Sequence, residues 1–228
     1  MVLASIADRA FEWLIAPSFT KAGYTVRRRL HHWRPLSCYD LSDRVALVTG
    51  ATSGIGFAAA EALARMGAHV IVLGRDAGRT EAAARDLRTR FGSDSVTTVV
   101  ASMDDPLAVR AAASEIGGRH ARLDIMVHNA GALAADYRRS PMGIEQTAAA
   151  QIVGPFLLTG LLLDRLGGGA PGRVITVASG GAYLAPLTVS GLDPAPPSFD
   201  GAQQYARAKR AQITLTELWG ERLQEIGR

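Results

Sequence analysis

The amino-acid sequence predicts an α/β fold built on a doubly wound parallel sheet. Short apolar segments rich in β-branched residues alternate along the chain with segments of helical periodicity. Strands that are apolar throughout are buried on both faces, and the alternation supplies helices to cover those faces. The predicted strands are 44–50, 69–74, 96–101, 123–131 and 173–179, and the predicted helices are 54–67, 77–91, 106–118, 143–166 and 202–224.

Composition limits the classes of protein that fit the chain. The 228 residues, 48% of them hydrophobic, are sufficient for one well-formed core. The net charge of +4 is a mild excess, so we expect no nucleic-acid partner. Cys38 is the only cysteine, which excludes an intramolecular disulfide and fits a cytoplasmic location. The apolar run Ile152–Leu163 is shorter than the ~18–20 residues that span a bilayer, so a buried helix is predicted.

Residues 1–43 are predicted to form an N-terminal extension of the domain at 44–228. Four residues of the extension have the spacing of an apolar helix face: Leu3, Ile6, Phe11 and Leu14. The basic and aromatic segment Arg27–Pro35 follows them. The extension is either an arm packed on the domain or an interfacial helix that contacts anionic membranes. A nucleic-acid-binding arm is a third, weaker interpretation.

The turn after the first predicted strand has the features of a dinucleotide-binding loop. It contains Gly50, Gly54 and Gly56, whose lack of a Cβ lets the chain turn sharply and lets a ligand approach the backbone. The helix that follows directs its free N–H groups and the positive end of its dipole at the same space. The turn is therefore predicted to hold a pyrophosphate.

Several motifs in the correct order resemble the short-chain dehydrogenase/reductase family. The glycines have the spacing TGxxxGxG, HNAG at 128–131 is similar to the family's NNAG, and YARAK at 205–209 matches YxxxK. Ser179 ends the fifth predicted strand, and its long separation from Tyr205 resembles the branch of retinol-dehydrogenase-like and orphan reductases. The resemblance covers about residues 40–228. It implies a Rossmann-like sheet of strand order 3-2-1-4-5, with the final strands of the family absent.

The resemblance also implies which residues bind the cofactor. They are Gly50, Thr52, Ser53, Gly54, Ile55, Gly56, Arg75, Asn129, Ala130, Gly131, Tyr205 and Lys209. Arg75 follows the second strand, where an acidic residue would favour NAD and an arginine pairs with a 2′-phosphate. NADP(H) is therefore favoured; NAD(H) stays possible if Arg75 is a solvated charge beside Asp76. Ser102 stands where the family usually has an aspartate that contacts adenine.

The catalytic residues implied by the resemblance are Ser179, Tyr205, Lys209 and Gln151. Tyr205 would exchange a proton with the substrate oxygen. Lys209, one helical turn later, would supply the cation that lowers a phenol's pKa and would hold the nicotinamide ribose. Ser179 would orient the substrate oxygen, and Gln151 aligns with an asparagine that holds a water of the proton relay. His128 is interpreted as structural, and no metal site is expected.

The sequence therefore predicts an NADP(H)-dependent oxidoreductase that transfers hydride between nicotinamide and a carbonyl or alcohol. The apolar segment Gly180–Leu187 suggests a lipophilic substrate. The alternative is a catalytically impaired or fragmentary nucleotide-binding protein. We expect a cytoplasmic location, with peripheral membrane contact and a homodimer as further hypotheses.

Overall fold

The computed structural model describes residues 20–167 and 171–225. The predicted apolar face at Leu3, Ile6, Phe11 and Leu14 lies outside the described residues. The chain divides into two compact units, Met1–Tyr39 and Asp40–Arg228. The assignment of 1–43 and 44–228 as functional domains stays a prediction.

The described part of the first unit is a short basic helix followed by an aromatic segment. Helix α1 spans Lys21–Leu30, and the Thr20 side chain caps its N-terminus by accepting from the Gly23 N–H at 3.4 Å. The ring of Trp33, after the helix, lies 5.8 Å between centroids from the ring of Tyr24 within it. A 3-10 turn at Leu36–Cys38 ends the segment.

The second unit contains a parallel five-stranded sheet of order β3-β2-β1-β4-β5. This confirms the predicted fold class and strand order. The strands are β1 (Val45–Thr49), β2 (His69–Gly74), β3 (Val96–Val100), β4 (Ile125–His128) and β5 (Arg173–Thr176). The chain winds outward from β1 to β3 and then returns to place β4 on the other side of β1. The carboxyl ends of β1 and β4 are therefore the switch point at which such sheets bind ligands.

Helices cover both faces of this sheet, as the continuously apolar strands require. They are α2 (Gly54–Arg65), α3 (Ala77–Phe91), α4 (Pro106–Arg119), a long helix α5 that begins at Gln146, and α6 (Gly201–Glu225). On one face Leu47 and Ile71 pack with residues of α4 and α5 such as Leu158. On the other, Val48 packs with residues of α2 and α3 such as Leu87. Leu47 and Val48, which are neighbours in β1, thus pack in two separate cores on opposite faces of the sheet.

Helix α5 differs from the uninterrupted helix predicted at 143–166. It comprises α-helix at Gln146–Ala148, a π-helical turn at Ala149–Val153, α-helix at Gly154–Leu162 and a 3-10 turn at Leu163–Arg165. Its 20 residues, Gln146–Arg165, are long and apolar enough to cross a membrane, although half of this apolar stretch is buried in the protein. Core helices of soluble proteins pass the same test, and Leu158 and Leu162 of α5 belong to the core.

The π turn follows from a proline. Pro155 has no N–H, so it cannot donate to the carbonyl of Gln151 four residues earlier. One residue earlier, the Gly154 N–H bonds to the Ala149 carbonyl five residues before it, which is the hydrogen bond of a π turn. The freed Gln151 carbonyl accepts from Gln212 Nε2 of α6 at 2.6 Å. The two helices are therefore joined where Gln151 faces the switch point.

Both β4 and β5 are shorter than the predicted 123–131 and 173–179. The apolar pattern continues beyond His128 and Thr176, but the backbone there leaves the sheet. Ser179 begins a 3-10 turn, Gly180–Leu184, and accepts from the Gly181 N–H at 3.2 Å. The segments predicted as strand ends therefore belong to loops at the ligand-binding edge.

Candidate functional site

A cleft of about 460 Å³ opens at the carboxyl ends of the strands. Its volume is within the range of small-molecule sites, and its place at the switch point is where doubly wound folds bind nucleotides. The predicted cofactor residues that line it are Gly50, Thr52, Ser53, Arg75, Ala130 and Gly131. The predicted catalytic residue Gln151 lines it as well.

The glycine turn has the shape that a pyrophosphate requires. Gly50 has a φ of +66°, and a Cβ there would lie 2.8 Å from the Cα of Ala130. A Cβ at Gly56 would lie 2.3 Å from Asn129 Nδ2. Gly54, with a φ of +56°, has no atom within 4 Å of its ideal Cβ position, so the start of α2 is open. Free N–H groups at such a helix start bind anions, and the turn therefore fits a dinucleotide.

Asn129 joins the turn to β4. Its Nδ2 donates to the carbonyls of Thr49 at 3.1 Å and Gly50 at 3.2 Å. The Thr49 hydroxyl accepts from the N–H groups of Asn129 and Ala130, at 3.1 and 3.0 Å. These bonds fix the ends of β1 and β4 against each other and hold Ala130 and Gly131 at the floor of the cleft. Ile55 is 69% exposed at the start of α2.

Two arginines lie at the β2 end of the cleft. Arg75 follows β2 and is exposed, and Arg79 in the first turn of α3 places Nη2 3.4 Å from Ser53 Oγ. Asp76 is occupied as the cap of α3, because its Oδ1 accepts from the Arg79 N–H at 2.8 Å. Within the described ranges no ion pair joins Arg75 to Asp76. Sequence reasoning missed Arg79, whose only signal is a basic residue in the helical turn after Arg75.

Ser179, Tyr205 and Lys209 come together although they lie on different elements. A Cβ at Gly181 would be 3.5 Å from Ser179 Oγ and 3.8 Å from the Tyr205 ring, so both side chains lie against this glycine. Lys209 Nζ lies 5.6 Å from the centroid of the Tyr205 ring. It donates to the Val177 carbonyl at 2.9 Å. Burial lowers the pKa of Lys209 to about 8.

Gln151 is fixed at the π turn with one of its polar atoms unused. Its Nε2 donates to the Ala132 carbonyl at 2.9 Å, and the residue is only 1% exposed. Its Oε1 has no hydrogen-bond partner in the described part of the chain, and it lies 3.0 Å from an ideal Cβ at Gly131. A buried oxygen without a partner is costly unless water or a ligand donates to it.

His128 has an environment that suits a structural residue. Its Nε2 lies 2.7 Å from Thr159 Oγ1 of α5, and burial lowers its pKa to about 4. The ring is therefore neutral near pH 7 and joins β4 to α5. Its Nδ1 has no partner among the described residues.

A buried carboxylate near the site was not found from the sequence. Glu145 is fully buried, and its two oxygens accept from the N–H groups of Thr147 at 2.8 Å and Ala148 at 2.9 Å, which caps α5. It also accepts from Gln204 Nε2 at 2.8 Å, next to Tyr205. The same Nε2 donates to the Leu192 carbonyl at 2.7 Å. Glu145 therefore ties together the starts of α5 and α6 and the loop before α6.

No metal-binding group of three or more His, Cys, Asp or Glu side chains is present in residues 20–167 and 171–225.

Comparison with known proteins agrees with this geometry. The model of the family "short chain dehydrogenase" matches residues 44–191, which contain the glycine turn, Asn129 and Ser179. The chain belongs to this family. Tyr205 and Lys209 lie beyond the matched residues, so their assignment rests on the motif and on the structure.

Three relatives show how far the similarity extends. The chain is 37% identical over 189 residues to the bovine (Bos taurus) "Dehydrogenase/reductase SDR family member 13", with 82% of this chain and 50% of the relative covered. It is 31% identical over 202 residues to mouse (Mus musculus) retinol dehydrogenase 11, with 89% and 64% covered. The solved structure described as the Pseudomonas aeruginosa RhlG/NADP active-site complex has a TM-score of 0.64 and 29% identity, with 81% of this chain and 68% of that chain covered. The chain thus spans between half and two thirds of the length of the two curated relatives.

Proposed function

We propose that the protein is an NADP(H)-dependent oxidoreductase that transfers hydride between nicotinamide and a carbonyl or alcohol. The observation that carries the proposal is the packing of Ser179 and Tyr205 against the same glycine, Gly181, with the buried Lys209 amine beside the Tyr205 ring. Membership of the short chain dehydrogenase family and the cleft at the switch point support it.

The cofactor would be held by residues of the cleft and by Lys209, which with Ser179 and Tyr205 is not among the residues that line it. The start of α2 would bind the pyrophosphate, and Lys209 would bind the nicotinamide ribose. Arg75 and Arg79 would pair with a 2′-phosphate, whereas Asp76, the acidic residue that follows Arg75, caps α3 and does not line the cleft. The NADP in the RhlG structure supports the same choice. NAD(H) is the alternative if these arginines stay solvated.

When bound, the nicotinamide would supply or accept the hydride. The protein's side chains transfer the proton and orient the substrate oxygen. Tyr205 donates its hydroxyl proton to the substrate oxygen in reduction and accepts it in oxidation. Ser179 donates a hydrogen bond that holds this oxygen near Tyr205. The ammonium of Lys209 stabilises the negative charge that develops on the tyrosine oxygen. The unpartnered Oε1 of Gln151 would accept from a water that replenishes the proton.

The substrate is proposed to be lipophilic. The segment after Ser179 exposes Leu184 at 84%, and Leu187 and Val189 are exposed as well. Exposed apolar side chains of this kind suit contact with a hydrophobic carbonyl or alcohol. The similarity to retinol dehydrogenase 11 supports this substrate class.

The test compares Tyr205→Phe with wild type in a screen of lipophilic aldehydes and ketones with NADPH. We expect turnover to fall by roughly 10²–10⁴-fold, the usual contribution of a general acid, while the Kd for NADPH changes little. Tyr39→Phe, an exposed tyrosine of the first unit, is the matched control and should keep full turnover. Equal turnover of wild type and Tyr205→Phe would refute the catalytic assignment. NADPH binding without turnover on any carbonyl would favour the non-catalytic nucleotide-binding alternative.

The described part of the first unit supports a contact with anionic membranes. Its cations are Lys21, Arg27, Arg28, Arg29 and Arg34, and residues 20–39 contain no acidic residue. Tyr24, Trp33, Leu36 and Tyr39 are exposed beside them. Cations with exposed aromatic rings are typical of membrane-interface segments. Deletion of residues 1–39 should abolish sedimentation with phosphatidylserine vesicles, and unchanged sedimentation would refute this contact.

A homodimer through α5 and α6 is proposed on the basis of an exposed apolar face. The rings of Phe156 and Trp219 lie 5.2 Å apart, and Phe156, Leu161 and Leu218 are each at least 40% exposed. Such a face suits a second copy of the chain. Analytical ultracentrifugation should give a dimer that Phe156→Glu converts to a monomer, and a wild-type monomer would refute the proposal.

A further inference from the structure

The chain reaches Tyr205 through a long irregular connection. Between Ser179 and the start of α6 at Gly201, the described chain forms only short 3-10 turns, the longest of which has 5 residues. A connection of this kind has no regular ladder of hydrogen bonds that would fix the distance between its ends. The place of Tyr205 must therefore be set by contacts between the start of α6 and other parts of the protein.

Gln204, the residue before Tyr205, makes two of these contacts. Its side chain is fully buried, and its Nε2 donates to Glu145 Oε2 at 2.8 Å and to the Leu192 carbonyl at 2.7 Å. An amide nitrogen carries two hydrogens, so both donors of this side chain are used. The first turn of α6 is thereby joined to the start of α5 and to the loop that precedes α6.

The Glu145 carboxylate is itself firmly held. It is fully buried, and its oxygens also accept from the N–H groups of Thr147 at 2.8 Å and Ala148 at 2.9 Å. Its own backbone N–H donates to Asp193 Oδ1 at 3.3 Å. In the described ranges no lysine or arginine forms an ion pair with it. Three N–H donors thus satisfy this buried group, and Gln204 is the only one of them that lies on α6.

We propose that Glu145 and Gln204 are positioning residues for Tyr205. The hydrogen bond between them fixes the start of α6 and thereby the distance of the Tyr205 hydroxyl from the substrate oxygen. Neither residue lines the cleft, so the pair acts through Tyr205. A displacement of about 1 Å can lower turnover by about 10²-fold, so a bond remote from the reacting atoms can control the rate. The inference rests on the proposed function, in which Tyr205 exchanges the proton.

One substitution reverses this hydrogen bonding without changing the size of the side chain. Gln204→Glu replaces the amide by a carboxylate, which can only accept and which would face two acceptors, Glu145 Oε2 and the Leu192 carbonyl. We expect the start of α6 to shift. At lower pH the repulsion between the two carboxylates favours binding of one proton to the pair, and the protonated group can donate again. General damage to the fold would not be reversed in this way.

The experiment measures kcat and the Kd for NADPH at about pH 8 and pH 6, with the carbonyl from the screen that wild type reduces fastest. We expect Gln204→Glu to lower kcat by about 10- to 100-fold at the higher pH while the Kd for NADPH stays within about twofold of wild type. At the lower pH the ratio of wild-type to variant kcat should shrink severalfold. Gln204→Met, which removes both donors and binds no proton, should lower kcat without this recovery.

The matched control is Gln203→Glu, the same substitution at the neighbouring residue, whose side chain is exposed. It adds the same charge to the first turn of α6 and should keep the wild-type kcat at both pH values. A loss of kcat in this control equal to that of Gln204→Glu would overturn the role of the buried hydrogen bond.

The outcomes separate this inference from the proposed function. Wild-type turnover by Gln204→Glu would overturn the positioning role and leave the assignment of Tyr205 intact. An equal loss of kcat at both pH values, or a rise of the NADPH Kd that matches the loss of kcat, would do the same. Absence of turnover in wild type, or full turnover of Tyr205→Phe, would overturn the proposed function and this inference with it.

Discussion

At the scale of single residues, Lys209 combines a functional role with a cost in stability. Its amine is buried beside Tyr205 and donates a hydrogen bond to the Val177 carbonyl. Burial lowers its pKa from 10.5 to about 8, so the fold disfavours the charged form that the proposed mechanism uses. Below pH 8 the folded protein carries a buried ammonium at the expense of stability.

This cost predicts a specific pH dependence of stability. Between about pH 8 and 10.5 the unfolded chain keeps the Lys209 proton while the folded chain releases it, so the free energy of unfolding rises with pH in this window. Compared with Lys209→Met, which removes the titration, wild type should gain about 1–3 kcal/mol between pH 7.5 and pH 10. Urea unfolding of both proteins at each pH measures the difference. A difference that does not change with pH would contradict the account.

The residues that sequence reasoning identified are those whose spacing is local. Tyr205 and Lys209 are one helical turn apart, and the glycine turn lies between a strand and a helix. Glu145 and Gln204 are far apart in the chain, and neither belongs to a recognisable motif, so only the fold could reveal their contact. Arg79 was missed because a basic residue early in a helix is common on surfaces.

At the scale of elements, the π turn of α5 decides where Gln151 lies. The missing N–H of Pro155 frees the Gln151 carbonyl, and Gln212 of α6 satisfies it. The helix of Gln151 is thereby tied to the helix that carries Tyr205. The hydrophobic pattern of 143–166 does not reveal this turn, because one extra residue in a nearly all-apolar helix leaves the pattern almost unchanged.

A double-mutant cycle tests this link between the two helices. Gln212→Leu should cost about 1–3 kcal/mol of unfolding free energy, since it leaves the buried Gln151 carbonyl without a donor. In a Pro155→Ala background the N–H restored at position 155 can donate to the Gln151 carbonyl. Gln212→Leu should then lower the free energy of unfolding by about 1 kcal/mol less than it does in wild type. Thermal or urea unfolding of the four proteins gives the coupling energy. If Gln212→Leu lowers the free energy of unfolding equally in wild type and in Pro155→Ala, the missing N–H of Pro155 is not the reason that the Gln151 carbonyl depends on Gln212.

At the scale of the whole molecule, the alternation of strands and helices was predictable because β1, β2 and β4 are apolar along most of their length. Such strands require helices on both faces of the sheet. This requirement is met, because Leu47 packs in the core on one face and Val48 packs in the core on the other. The ends of β4 and β5 were predicted too long, since apolar residues continue into the loops of the cleft. The position of the cleft could therefore be predicted from the sequence. The conformation of the loops around it could not, because it depends on contacts between segments that are distant in the chain.

The central claim is that this cleft selects NADP(H) through Arg75 and Arg79 at the end of β2. The most direct measurement is the ratio of the Kd values for NADH and NADPH, from nicotinamide fluorescence, in wild type, Arg79→Ala and Arg85→Ala. Arg85 lies on the same helix, is exposed and does not line the cleft, so it serves as the matched control. We predict that wild type and Arg85→Ala bind NADPH at least about tenfold more tightly than NADH, and that Arg79→Ala reduces this ratio severalfold. Failure of wild type to bind NADPH, or equal binding of both nucleotides, would contradict the claim.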